Sequence, residues 1–360
     1  MKRIILAEYI GNSDSNRVPI GHSTKILMEY GKLLEKDFEV KYIVPYNVLV
    51  NNLEIKQNSL SGLEHITILG SQKKFFLDRC LNNFKRFMNL KKIFSYKHPE
   101  DIIWFCNIDI FLFYYLFIHR KYCPDIICTL YQDTLKKKGL IGIFRNRIFR
   151  NVLSRLKLVI VTNEDFQKNL SNRFYMPDYY YSEQFNKYQN IQKTNQTVCL
   201  GTMNASKKLE EVVKFYNKSG EKLLIAGKFD DPKRKNSLIQ MAHSNICIRD
   251  QYLSYEEYLQ LLAESRFTII PYSAQVYFKR TSGVLQEAIF MKTVPIAPDI
   301  LLKYNHCLGI GYYNYSDLNS IKLMDYDFKA YQNWCNNEIK NRYNFSLIAK
   351  KLLSEIKKDI

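Results

Sequence analysis

The segment from Arg280 to Asp299 carries the side chains and spacing best suited to chemistry. Its pattern predicts a loop, a helix and a strand, and Thr281 or Ser282 can cap the start of that helix. Free amides and the dipole at a helix start attract phosphate, so the amides of Ser282 and Gly283 are candidate phosphate ligands. Gly283 also lets a ligand approach the backbone closely. Glu287 follows one turn later on the same face, where its carboxylate can accept hydrogen bonds from ribose hydroxyls. The alternative is an ordinary capped helix on the surface with a solvated Glu.

Short apolar runs alternate with helix-like patterns on both sides of this segment, which predicts α/β architecture with parallel sheets covered on both faces. The predicted strands of the first half cover 4–7, 38–44, 66–69, 102–105, 126–130 and 158–161. Polar residues dominate 171–195, as expected of an interdomain linker. Further strands are predicted over 198–200, 223–226, 246–248, 267–270 and 294–297, with helices over 209–218, 237–242, 255–265 and 282–292.

This alternation predicts two Rossmann-like domains followed by a helical tail. The predicted boundaries are 1–175 for an N-terminal domain, 176–195 for the linker, 196–325 for a C-terminal domain and 326–360 for the helical segment.

The stretch SGVLQEAIFMKTVPIAPD, which starts at Ser282, resembles the donor-binding segment of GT-B glycosyltransferases. The resemblance is strongest to the retaining enzymes of family 4, whose Glu-x7-Glu motif precedes a Gly-x-Pro-Val-Ile-Ala strand. It assigns Glu287 to the nucleotide ribose, while Lys279 occupies the position of the first Glu. Arg280 is a candidate contact to the diphosphate. The resemblance implies two Rossmann-like domains facing across a cleft, with a C-terminal helix packing back toward the N-terminal domain. It also implies that the N-terminal domain (1–175) binds the acceptor and the C-terminal domain (196–325) binds the sugar nucleotide.

The resemblance extends over the rest of the C-terminal half. Gly201, Thr202 and Lys207 match the family's Gly-Arg…Lys loop, which assigns Lys207 to the donor phosphates and puts Thr202 at the Arg position. Gly227 matches the glycine turn after the next strand. Tyr252 falls in the loop whose backbone usually contacts the base.

The N-terminal half matches the family more loosely. Residues 11–23 replace its Gly-rich loop, and there His22 could touch the diphosphate or the acceptor, or be a plain surface residue. Asn107 and Asp133 end strands that resemble the family's, so both are expected at the strand carboxyl ends, where α/β sheets bind ligands. Asp133 could serve in the cleft or cap the following helix.

The formal net charge of +18 over 360 residues implies an anionic partner: nucleic acid, an acidic membrane surface or phosphorylated ligands. Residues 72–98 carry eight Lys/Arg against one acid, and residues 134–158 carry eight and no acid, both interleaved with apolar side chains. Such stretches suit an anionic membrane surface. The alternative is that the apolar faces pack on the sheet and the charges are solvated.

The start of the chain reads as a first strand, so we expect no leader peptide. The apolar run over 108–118 is interrupted by Asp109 and is far shorter than the roughly 20 residues that span a bilayer. The eight cysteines show no CxxC pair, as expected of reduced thiols in a cytosolic protein. We expect a cytoplasmic protein, soluble or peripheral at the inner face of the cytoplasmic membrane.

The resemblance implies transfer of a sugar from a UDP- or GDP-linked donor to a hydroxyl of a glycan or an undecaprenyl-type lipid-linked acceptor. Bacterial surface polysaccharide synthesis, of O-antigen or capsule, is the expected context. We expect no cofactor and no metal ion, since positive side chains would stabilise the leaving phosphate, and we expect retention of anomeric configuration. If the enzyme inverts, Asp133 or His22 is the candidate base.

Two other functions fit the sequence. A nucleotide-sugar epimerase can have the same two-domain architecture. A basic nucleic-acid-binding protein would use the net charge, but no nucleic-acid-binding motif is present and this function leaves the repeated βα pattern unexplained.

Overall fold

The computed structural model describes residues 2–10, 12–13, 23–50, 52–64, 66–67, 76–133, 139–178, 180, 183–272, 281–305, 313–314 and 327–358. The chain divides into two compact units. Residues 1–176 and 346–360 form the first, and residues 177–345 form the second.

The first unit is built on a seven-stranded parallel sheet of order β4-β3-β1-β6-β7-β8-β9. Strands β2 and β5 form a separate two-stranded parallel sheet. The strands are β1 (Arg3–Ala7), β2 (Asn12–Ser13), β3 (Glu39–Pro45), β4 (Ser59–Leu63), β5 (Ile66–Thr67), β6 (Ile102–Phe105), β7 (Ile126–Leu130), β8 (Leu158–Val161) and β9 (Arg173–Tyr175).

The helices of the first unit lie between these strands. They are α1 (Ser23–Leu34), α2 (Tyr46–Val50), α3 (Leu53–Gln57), α4 (Phe76–Ser95), α5 (Ile110–Ile118) and α6 (Leu140–Leu153). Strands β6, β7 and β8 are buried along their whole length, which is why their sequences are apolar except at Thr129 of β7. The Thr129 hydroxyl is paired inside the core, since it accepts a hydrogen bond from Trp104 Nε1 at 2.9 Å.

The second unit repeats this plan on a six-stranded parallel sheet of order β12-β11-β10-β13-β14-β15. Its strands are β10 (Thr194–Leu200), β11 (Leu223–Ala226), β12 (Ile246–Arg249), β13 (Ser265–Ile269), β14 (Val294–Ala297) and β15 (Tyr313–Asn314). Its helices are α7 (Leu209–Ser219), α8 (Pro232–Met241), α9 (Tyr255–Glu264), α10 (Gly283–Phe290), α11 (Asp299–Tyr304) and α12 (Phe328–Asn341).

The strand order reverses beside the first strand of each sheet. Strand β1 pairs with β3 on one side and β6 on the other, and β10 pairs with β11 and β13. Crevices that bind ligands form at the carboxyl ends of strands at such reversals. The residues that follow β10, β11 and β13 are therefore placed to form a site.

The helical segment predicted over 326–360 consists of two helices, α12 and α13 (Phe345–Lys357). Tyr343 lies between them with its side chain buried in the core of the second unit. Most of α13 belongs to the first unit, where Lys357 contacts Asp37. This agrees with a C-terminal helix that returns to the N-terminal domain.

Two strands of the large sheet were missed by the sequence pattern. Strand β4 has the sequence SLSGL and is buried only over its last two residues. Strand β9 falls where polar residues predicted a linker, and all three of its residues are half-buried. Both lie at the edges of the sheet, where an apolar run is not required.

Over the described residues, no helix is both long enough and apolar enough to traverse a bilayer.

Candidate functional site

Two glycines bring the loops after β10 and β11 into backbone contact. Gly201 and Gly227 have backbone φ angles of +89° and +151°, which residues other than glycine rarely adopt. A Cβ on Gly227 would lie 1.9 Å from the Gly201 carbonyl oxygen. Past this contact the two loops stay paired, since the Met203 amide donates to the Lys228 carbonyl at 2.9 Å. Thr202 is exposed between Gly201 and this pair.

Lys207 is held inside this loop. Its side chain is 2% exposed, and its Nζ donates to the Leu200 carbonyl at 2.8 Å and lies 5.5 Å from the ring centre of Tyr272. Burial lowers the pKa of the amine, and Cys199 opposes that change in part. Because the amine is shielded from water, hydration stabilises its charged form only weakly. An anion that reached it would stabilise that charged form strongly.

Arg234 of α8 fixes the loop that carries Lys207, a role that no sequence motif indicated. Its guanidinium donates to the carbonyls of Asn204 and Lys207 at 2.7 and 2.6 Å. It also pairs with both carboxylate oxygens of Glu210 at 2.6 Å. These bonds lower the pKa of Glu210 and raise that of Arg234. The fork geometry of arginine makes the anchor rigid.

The start of α10 is defined by Ser282, which is buried. Its side chain accepts a hydrogen bond from the Leu285 amide at 3.4 Å, and its own amide donates to Asn305 Oδ1 at 3.2 Å. The Ser282 amide, predicted to bind phosphate, is therefore occupied by Asn305. The amides of Gly283 and Val284 have no acceptor among the described residues. These two are the donors that α10 can offer to an anion.

Glu287 is completely buried, so the alternative of a solvated surface carboxylate is wrong. Its Oε1 accepts a hydrogen bond from the Tyr255 hydroxyl at 3.1 Å. It also lies beside the phenol of Tyr258, whose pKa rises because of burial first and the nearby carboxylate second. Both tyrosines come from α9, so this helix positions the acid. No pattern in the sequence indicated the pairing.

The loop after β12 is held at both ends. Asp250 accepts hydrogen bonds from the Phe229 amide and Lys235 at 3.1 and 3.2 Å. Burial alone would raise the pKa of Asp250, but these bonds and Lys228 lower it. At the far end Ser254 and Glu257 form a capping box that starts α9. Tyr252 lies between these anchors with 54% of its surface exposed.

Asn107 and Asp133 follow β6 and β7 at the carboxyl edge of the first sheet, as the sequence predicted. Asp133 Oδ1 accepts from the Gln167 amide at 3.0 Å and from Gln167 Nε2 at 3.1 Å. Gln167 has a φ of +49°, which is uncommon for a residue with a side chain. Asp133 does not cap α6, because Gly139 is the residue at that position.

Glu8 is a carboxylate at this edge that sequence reasoning passed over. It follows β1, is 1% exposed, and accepts a hydrogen bond from the Ile10 amide at 2.8 Å. Cys106 follows β6 next to it, and the pKa of its thiol is raised by burial and by Glu8. The only sequence signal was an acidic residue directly after an apolar strand.

His22, Lys279 and Arg280 lie outside the described residues, so the structure places only the other predicted site residues. Gly201, Thr202, Lys207 and Gly227 come together in the loops after β10 and β11. Tyr252, Gly283 and Glu287 lie on segments that follow β12 and β13 in the same unit.

The sequence contains one Asp-x-Asp spacing, at Asp325 and Asp327, a pattern typical of metal-dependent transferases. Asp325 is outside the described residues. Asp327 accepts a hydrogen bond from the Ala330 amide at 3.0 Å and so starts α12. The expectation that no metal takes part stays a prediction.

Comparison with known proteins gave structural matches only. No protein-family model matches the sequence, and no curated protein matches it. Sucrose-phosphate synthase from Thermosynechococcus elongatus superposes with a TM-score of 0.67 at 13% identity over 98% of both chains. "Trehalose-6-phosphate from E. coli bound with UDP-2-fluoro glucose" gives 0.67 at 9% over 100% of both. Anabaena HepE in complex with UDP and glucose gives 0.62 at 11%, over 98% of this chain and 99% of that one.

The chain has the GT-B fold. Identities this low establish the fold alone, and the fold agrees with the sequence prediction. Membership of family 4 has no support from a sequence match and stays a prediction. The roles of the predicted site residues likewise stay predictions.

Proposed function

We propose that this GT-B protein is a glycosyltransferase that moves a sugar from a nucleoside diphosphate donor to a hydroxyl. One observation carries the proposal. The carboxyl edge of the second sheet holds a buried amine, Lys207, on a loop that two glycines and Arg234 make rigid. Helix α10 begins after β13 at that same edge and offers the amides of Gly283 and Val284.

These groups suit the charge that develops when the donor loses its sugar. Negative charge builds on the β-phosphate as the glycosidic bond breaks, and donors already fixed in place stabilise it most. Lys207 and the two amides of α10 are the proposed donors, together with Arg280. In this proposal they replace a divalent cation, and turnover is unchanged by a chelator.

Glu287 is proposed to accept hydrogen bonds from the ribose hydroxyls. Its burial and its bond to Tyr255 keep the carboxylate in one orientation, so a ribose that reached it would meet a fixed acceptor. Tyr252 is proposed to lie against the base. Two of the structural matches were solved with UDP-containing ligands, which supports a UDP-linked donor over a GDP-linked one.

The acceptor is proposed to be a glycan or an undecaprenyl-type lipid-linked sugar. The setting would then be surface polysaccharide synthesis at the inner face of the cytoplasmic membrane. The reaction is proposed to retain the anomeric configuration. In the first unit, Glu8, Asn107 and Asp133 are the carboxyl-edge residues to test for acceptor binding, together with His22.

The test begins with thermal unfolding in the presence of UDP, GDP and their sugar derivatives, since a ligand that binds only the folded state raises its stability. We expect one nucleotide series to raise the melting temperature. Nucleoside diphosphate release is then measured with and without a lipid-linked acceptor. Release that requires the acceptor supports transfer, whereas a new sugar nucleotide formed without acceptor would show an epimerase.

A further inference from the structure

Helix α4 of the first unit is apolar on two opposite faces. Its inward face packs Leu90, Ile93 and Phe94 into the hydrophobic core of that unit. Residues on the opposite face follow the spacing of one helical stripe but point to solvent. They are Leu81, Phe84 and Met88, exposed by 53, 62 and 42%. Phe87, which is 47% exposed, lies at the border between the two faces, because it precedes Phe94 by seven residues and both rings contact Tyr115. A helix that only packs on a sheet carries polar residues on its outer face, so this second stripe is unexplained by the fold.

The neighbouring helices α5 and α6 also expose apolar side chains. Helix α5 packs between α4 and α6: the ring of Tyr115 lies 6.1 Å from that of Phe87, and Arg145 donates to the Tyr114 hydroxyl at 3.0 Å. Helix α5 contains no charged residue, and its last residue, Ile118, is 72% exposed.

Helix α6 adds three exposed apolar residues near its start. Ile141, Ile143 and Phe144 are exposed by 64, 68 and 61%. We call the eight exposed residues of these three helices the α4–α6 face. On the second unit, by contrast, only Ile239 and Tyr252 are large exposed apolar residues among those the structure describes.

The charges around the α4–α6 face are almost all positive. Lys91 on α4 and Arg147 and Arg150 on α6 are exposed, and none has a carboxylate within ion-pair distance in the described part of the chain. Arg86 is an exception, since its Nε lies 3.4 Å from Asp109. Exposed apolar side chains grouped on three helices that pack side by side mark an interaction site, and unpaired basic residues around them select a partner that is both apolar and anionic.

We propose that the α4–α6 face docks on an anionic lipid surface. Its aromatic and aliphatic side chains would enter the boundary between headgroups and acyl chains, while the Lys and Arg side chains contact the headgroups. The proposal deepens the proposed function, which puts the acceptor on a lipid. Lipid binding requires neither donor nor acceptor, so a failure of docking and a failure of glycosyl transfer are measured separately.

The test is co-sedimentation of the full chain with vesicles of phosphatidylcholine alone or with about 30% phosphatidylglycerol. We expect binding to the anionic vesicles and little to the neutral ones. The double variant F84S/F144S should bind at least about tenfold more weakly. The triple variant K91Q/R147Q/R150Q should lose about fivefold for each charge removed, or about 100-fold in total.

Matched control variants lie on the second unit. I239S removes an exposed apolar residue there, and K214Q/K218Q/K233Q removes three exposed positive charges. Both controls should bind as the unchanged protein does. All variants alter exposed residues, and urea unfolding checks that they stay folded. Equal binding of neutral and anionic vesicles, or controls that weaken binding as much as the α4–α6 variants, would overturn the proposal. It would also be overturned by sedimentation showing a dimer that F84S/F144S dissociates, without vesicle binding, because the face would then join two copies of this chain.

Discussion

Replacing Lys207 with Met gives a direct test of the phosphate site, because the structure predicts a large loss of activity with little loss of stability. Met has a similar length and no charge. In the variant the Leu200 carbonyl loses the donor that now lies 2.8 Å away, which costs about 1–2 kcal/mol. The variant also removes an amine whose burial disfavours its charged form, an effect of similar size and opposite sign. The free energy of unfolding should therefore change by about 1 kcal/mol or less.

The loss of transition-state stabilisation has no such compensation. Removing one fixed donor from a developing oxyanion typically lowers kcat by about 10²–10³-fold, or about 3–4 kcal/mol. The natural control is Lys208→Met. Lys208 is the next residue, its side chain is 48% exposed, and it pairs with the exposed Glu211 across one helical turn at 3.1 Å. That exposed pair contributes little, so the control should keep nearly full activity.

The assay is acceptor-dependent release of nucleoside diphosphate, with urea unfolding of each variant in parallel. The proposed contact between Lys207 and the donor phosphate is refuted if folded K207M keeps more than about a tenth of the activity, or if K208M loses as much activity as K207M. A pH profile adds a second check. Burial lowers the pKa of Lys207, and only the protonated amine aids the leaving phosphate. Donor affinity should therefore fall as pH rises through that lowered pKa, and this fall should be absent in K207M.

Three further predictions concern other residues. Gly227→Ala should destabilise the second unit by more than about 3 kcal/mol in urea unfolding, because its Cβ would lie 1.9 Å from the Gly201 carbonyl oxygen. The control is Gly220→Ala, which should cost only about 1–2 kcal/mol, because Gly220 has a φ of +72° but open space around it. Glu287→Gln keeps the shape but not the charge, so nucleotide affinity measured by calorimetry should fall about 10- to 100-fold, while the exposed Glu256→Gln should change nothing. Burial lowers the pKa of Lys193 to about 7, so the folded state binds fewer protons than the unfolded state above that pH. Stability should then rise by up to about 1.4 kcal/mol per pH unit between pH 7 and 10, and a Lys193→Met variant should lose this rise. A flat stability profile in the unchanged protein would contradict the last prediction.

The core strands could be predicted from the sequence because helices cover both faces of a parallel sheet. Such strands are close to continuous apolar runs, and β6, β8, β11 and β14 are apolar at every position. The edge strands β4 and β9 have no such requirement, and their sequences gave no signal. Helix α10 was readable because Ser282 is a capping residue directly before an apolar helical pattern.

The hydrogen-bond partners of the predicted site residues could not be predicted from local patterns in the sequence. Arg234 lies 27 residues from Lys207 in the chain, and Tyr255 lies 32 residues from Glu287. Gln167 lies 34 residues from Asp133. Each pairing depends on which loops the strand order of the sheet brings together, and local patterns in a single sequence do not predict that order. The capping role considered for Asp133 was wrong for the same reason, since a distant loop binds its carboxylate.

By itself, then, the sequence determined two parallel α/β units and the start of α10, with Glu287 one turn into that helix. Those features follow from local rules: apolar runs for buried strands and a capping residue at a helix start. Lys207 and Gly227 were instead selected through the resemblance to GT-B glycosyltransferases. Only the tertiary structure decided that Glu287 is buried against tyrosines, that the Ser282 amide is already occupied, and that α4 exposes a second apolar stripe. Burial and hydrogen-bond partners depend on contacts between segments far apart in the chain, and those contacts exist only once the sheets have formed.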